Sequence, residues 1–144
     1  MITPSRFSLV KPTLNTPFHI DFDWWKAQDN NWRIFLHDCL CAEHQVAFSK
    51  LEDEEWVDWV DSETGEVQRV DGLQHVLMAH CARQPEFVTT NTSLVDAAFR
   101  AFLSNGNNPL TPVELSRIIS KQPEVILKTL AGPHIYKGIS PCSR

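Results

Sequence analysis

Two short Cys/His pairs are the residues best suited to chemistry. Cys41-Ala42-Glu43-His44 has the C-x-x-H spacing of one half of a zinc site, and His80-Cys81 supplies two more donors of the same kind. Two ligands from a loop after one helix and two from the end of a later helix would close an N/S tetrahedron around one structural zinc ion. Cys39 could replace one of the four. Adjacency at His80-Cys81 is a departure, because ligands on a helix usually sit one turn apart. The same residues also allow a Cys–His nucleophile, with Cys41 or Cys81 attacking and His44 or His80 as base, or plain core packing. No local cysteine-protease signature surrounds them.

Two further sets carry weaker chemistry. Phe18-His19-Ile20-Asp21-Phe22-Asp23-Trp24 alternates apolar and polar residues, the mark of a half-buried strand. Its His19, Asp21 and Asp23 would share one face and could hold a divalent metal for hydrolysis, or simply face solvent. The other set is cationic and polar: Lys121, Lys128, Thr129, His134 and Lys137 gather around Pro123–Ala131. Lysine and threonine can meet phosphates, and short polar side chains can read base edges.

The elements that would position these groups follow from caps and periodicity. Asp29 or Asn30 can cap a helix in which Trp32, Phe35, Leu36, Cys39 and Leu40 form one stripe. Gln45–Phe48 extends as a second short helix, and Glu52-Asp53-Glu54-Glu55 is an acidic run that reads as a solvated loop or a helix start. Trp56–Val70 reads as a β-hairpin turning at Ser62-Glu63-Thr64-Gly65. Asp71 caps a helix over Gly72–Arg83 with Leu73, Val76, Leu77 and His80 on its apolar face. Ser93 and Asp96 form a cap pair ahead of the stripe Leu94, Val95, Ala98, Phe99, Phe102 and Leu103.

Leu110–Pro141 then organises the chain. Thr111 and Glu114 form a capping box with Pro112 at the first helical position. Leu115, Ile118 and Ile119 share a face; Ser120-Lys121-Gln122 breaks the period. Pro123 restarts a helix with Ile126, Leu127 and Leu130 inward, Gly132-Pro133 stops it, and His134–Ile139 alternates like a strand. Helix, tight turn, helix and strand, preceded by the Ser93-capped helix, resemble a winged helix-turn-helix over residues 93–140. The resemblance implies a face that binds DNA or a protein partner.

Charge is divided unevenly. The whole chain carries −5 over 144 residues, which disfavours a generally basic nucleic-acid binder. Residues 17–110 hold six Lys/Arg against sixteen Asp/Glu, or −10, and residues 111–144 hold five against two, or +3. The expected fold is α+β: an extended arm over 1–17, a zinc-stabilised helix and hairpin unit over 18–88, and the winged helix-turn-helix over 93–140. The four cysteines are too few for a disulfide framework at this length. No apolar signal core or membrane span is read, so a cytoplasmic location is expected. The expected function is non-catalytic, DNA-associated or transcription-regulatory, with the acidic body meeting a protein partner. A protein-binding adaptor or accessory subunit is the alternative, and a metal-dependent hydrolase a more distant one.

Overall fold

The computed structural model describes residues 11–48, 56–60, 64–88 and 92–142. The expectations for residues 1–10, the acidic run Glu52–Glu55 and the turn residues Ser62 and Glu63 lie outside them. The chain is α+β, with seven α-helices and two antiparallel two-stranded sheets among the described residues. It divides into two compact units: residues 26–87, and residues up to 25 together with those from 88 onward. No helix among the described residues is long and apolar enough to cross a membrane.

The discontinuous unit is built on strand β1 (Phe18–Ile20). On one side β1 pairs antiparallel with β4 (Ile139–Pro141), Phe18 facing Pro141 and Ile20 facing Ile139. On the other side Phe18 exchanges both backbone hydrogen bonds with Leu110, at 2.9 and 3.0 Å. The next pair in that ladder is made by a side chain. Ile20 N–H donates to Asn107 Oδ1 at 2.8 Å, and Asn107 Nδ2 donates to Ile20 C=O at 2.9 Å. The Asn107 amide thus stands in for one residue of a strand and satisfies both groups of Ile20.

The period of two ends sooner than the sequence suggests. Asp21 Oδ1 accepts from Trp24 N–H at 3.1 Å, which starts helix α1 (Phe22–Gln28) where strand was expected. An aspartate followed by mixed apolar residues fits a cap as well as a strand, and here capping prevails. His19 therefore lies on β1 and Asp23 in the first turn of α1, so the single face expected for His19, Asp21 and Asp23 does not form. In the described part of the expected arm, Thr16 N–H donates to Thr13 O at 3.0 Å and Thr13 N–H to Thr16 Oγ1 at 2.8 Å.

Helix α5 (Leu94–Ser104) is the centre of this unit; Ala97, Ala98, Phe99, Ala101, Phe102 and Leu103 are all buried. Ser93 caps it through Asp96 N–H, and Trp25 sets its ring edge-on against Phe99 at 5.3 Å. Helix α6 (Pro112–Ile119) opens with the full Thr111/Glu114 capping box, at 3.1 and 2.9 Å. Ser120 takes a left-handed conformation, φ 60°, and Pro123 begins α7 (Pro123–Leu130). Leu115, Ile119, Ile126 and Leu130 point inward from the pair.

The strand expected at His134–Ile139 starts only at Ile139. Lys137 and Gly138 both have positive φ, 52° and 78°, and no strand continues through consecutive left-handed residues. Gly138 is required there twice over: a Cβ would lie 2.7 Å from Asp21 O and 2.9 Å from Trp25 Cβ. Its carbonyl accepts from Asp21 N–H at 2.8 Å. Residues 18–25, expected with the following helices, thus belong to the unit of the C-terminal strand, where β1 pairs with β4.

The unit of residues 26–87 holds helices α2 (Trp32–Asp38), α3 (Ala42–Ala47) and α4 (Gly72–Ala79). Its hairpin joins β2 (Trp56–Val60) to β3 (Val67–Asp71), with Trp56 opposite Asp71 and Val60 opposite Val67. Among the described residues, its core holds Leu36, Cys39, Leu40, Leu73, Leu77, Cys81, Ala82 and Phe87. Asp71 ends β3, caps α4 through Leu73 and Gln74 N–H, and pairs with Arg33 of α2. Helix α4 stops at Ala79, short of the expected Arg83, and a 3-10 turn follows over Cys81–Arg83.

Candidate metal centre

Each pair is delivered by a helix end. Cys41 is the N-cap residue of α3 in extended conformation, φ −68° and ψ 163°, and His44 follows one turn later. That places thiol and imidazole on one side, with Cys41 Sγ 3.1 Å from His44 Nδ1. The approach of α3 to α2 is fixed by side chains: His37 Nε2 lies 3.1 Å from Gln45 O, and Gln45 Nε2 reaches the carbonyls of His37 and Asp38. The adjacency of His80 and Cys81, which looked unfavourable on a continuous helix, is resolved by the break between α4 and the 3-10 turn. His80 sits at φ −127°, outside helical geometry, so consecutive side chains can converge.

The four donors meet. Cys81 Sγ is 3.5 Å from Cys41 Sγ and 3.6 Å from His44 Nδ1, and Cys41 Sγ is 3.9 Å from His80 Nδ1. All four ligand atoms lie within 4.8 Å of one another. Bond lengths of about 2.3 Å to sulfur and about 2.0 Å to nitrogen give tetrahedral edges of roughly 3.8 Å for S–S and roughly 3.5 Å for S–N. The donor set can therefore hold a metal ion, and its softness suits zinc. Cys39, the possible substitute, is buried and not part of the group.

Burial is graded across the site. Cys81 is 1% exposed, Cys41 and His44 are half-buried, and His80 is exposed, its ring edge-on to His44 at 4.6 Å. Burial, joined by the neighbouring Cys41 thiol, pushes the Cys81 thiol up to about 11. A bound cation reverses that preference by stabilising the thiolate. A single Cys–His contact at 3.1 Å would also fit a nucleophile and its base. A second thiol and a second imidazole converging on the same point are what a metal requires and a nucleophile does not.

The basic set is less convergent. Lys128 and His134 are exposed, while Lys121, Thr129 and Lys137 are half-buried. Thr129 donates its hydroxyl proton to Val125 O at 2.9 Å, and His134 lies edge-on to Tyr136 at 4.4 Å. Three apolar side chains share these elements and stay open to solvent: Ile118, Val125 and Ile135. A period of 3.6 does not say how wide the buried stripe is, so their exposure is not readable from periodicity. No known family, characterised protein or solved structure matches the chain.

Proposed function

We propose that this chain is a non-catalytic, DNA-associated regulatory module. One structural zinc at Cys41, His44, His80 and Cys81 holds the unit of residues 26–87. Helices α5, α6 and α7 with strand β4 act as a winged helix-turn-helix, and Lys121, Lys128, Thr129, His134 and Lys137 form its DNA-facing set. The acidic stretch before residue 110 meets a protein partner.

The observation that carries the DNA reading is the α6–α7 junction. Ser120 in the left-handed region turns the chain within three residues, and Ser116 Oγ locks the turn by donating to Lys121 O at 2.6 Å. Leu115, Ile119, Ile126 and Leu130 face inward, which leaves Arg117 and Lys128 exposed on the outer surfaces of the two helices. The test is duplex binding as a function of salt. Three phosphate contacts from Lys121, Lys128 and Lys137 give a log–log slope of about −2.7, and Lys128→Ala flattens it by roughly 0.9. Absence of binding at low salt by folded protein rejects the reading.

A protein-binding adaptor is the second reading, favoured by Ile118 at 43% and Val125 at 47% exposure on α6 and α7. Apolar side chains on the outer faces of the two helices suit a protein groove better than a phosphate backbone. Replacing both with serine would then abolish partner capture and leave any DNA slope unchanged.

A further inference from the structure

We propose that Cys41 and Cys81 are a peroxide-reactive pair whose oxidation to a disulfide releases the bound zinc. The inference rests on the metal reading given above. Its basis is the asymmetry of the two thiols. Cys41 is half-buried beside the exposed His80, on the side where solvent reaches the cluster. Cys81 is 1% exposed and stands 3.5 Å behind it. An accessible thiolate with a second thiolate within reach is the arrangement in which a sulfenic acid is resolved as a disulfide.

The chemistry balances with hydrogen peroxide as oxidant. The Cys41 thiolate attacks one peroxide oxygen; an S–O bond forms, the O–O bond breaks and hydroxide leaves. The Cys81 thiolate then attacks the Cys41 sulfur, forming the S–S bond and expelling a second hydroxide. Two thiolates lose two electrons and one peroxide is reduced to two hydroxides. The sulfurs must close from 3.5 Å to a bond of about 2.05 Å. Afterwards His44 and His80 alone remain as donors, too few for a four-coordinate zinc.

The experiment uses the full reduced chain. Zinc is measured first, then a few equivalents of hydrogen peroxide are added while a metallochromic dye reports release. The expected result is loss of the bound zinc together with a fall in titratable thiols from four to two. Peptide mapping then finds a Cys41–Cys81 link, and dithiothreitol with added zinc restores the starting state. Cys142→Ser should respond with the same zinc release, which keeps the test clear of variants that damage the cluster. Zinc retained under peroxide, or thiol loss mapped to Cys39 and Cys142, overturns the inference and leaves the metal centre standing. Reduced protein that contains no zinc removes the metal reading and this inference together, and that result is in hand before peroxide is added.

Discussion

Single side chains do work here that composition does not advertise. Asn107 replaces a strand residue, and its backbone sits at φ 60°, a conformation asparagine tolerates better than most residues. Asn107→Ala should leave both Ile20 groups unmet and destabilise the fold by about 2 kcal/mol, read as a lower denaturation midpoint at unchanged m-value. Asn107→Gly should recover about 1 kcal/mol of that loss by relieving the left-handed backbone. Equal costs would mean that the backbone conformation contributes nothing. Thr111→Ala removes the hydroxyl that accepts from Glu114 N–H and should cost about 1 kcal/mol. The capping box was legible from four residues, because a cap is local chemistry. The Asn107 bridge spans 87 positions and has no sequence period, so nothing short of the fold reveals it.

At the scale of elements, strand and helix identity were legible where caps and punctuation agreed. The starts of α4, α5, α6 and α7 follow from Asp71, Ser93, Thr111 and Pro123. The hairpin followed from its two β-rich runs on either side of Gly65, φ +75°. Alternation alone misled twice, at Phe18–Trp24 and His134–Ile139, because a period of two over six or seven residues is too short to exclude a cap or a left-handed break. Those two segments are partners: β1 stops at Asp21, and Gly138 packs against that same residue. Gly138→Ala should therefore be severe, about 3 kcal/mol or more, because a fixed backbone oxygen opposes the new Cβ and φ is positive. Gly65→Ala has the same sign of φ and open space around it, so it should cost only about 1 kcal/mol. Comparing the two melting temperatures separates steric from conformational cost; similar shifts would show that the Gly138 contact yields freely.

For the molecule as a whole, the Cys and His types were readable in sequence, but their convergence needed α3 and the α4 break to bring positions 41 and 81 together. Under the proposed zinc reading, that convergence also sets where metal removal is felt. Among the described residues, the unit of residues 26–87 buries Leu36, Leu40, Leu73, Leu77 and Cys81 on and beside the elements that carry the cluster, whereas α5 of the other unit buries six residues of its own. A zinc ion present at a thousandfold its Kd adds about 4 kcal/mol to whatever structure holds it. Chelation should therefore raise amide exchange in α3 and α4 while α5 keeps its protection, measured by mass spectrometry on the intact chain. The amides of α4 should respond through Asp71 and Leu77 neighbourhoods as well as at its C-terminal end, since loss of the ligands at His80 and Cys81 frees the turn that closes it. His44→Ala should produce the same local pattern without chelator, because three donors hold the ion less tightly than four. Exchange that rises equally in α5 would show that the two units unfold as one cooperative structure. Exchange that does not change anywhere would show that the four side chains pack stably without an ion, and the zinc would then have no structural part.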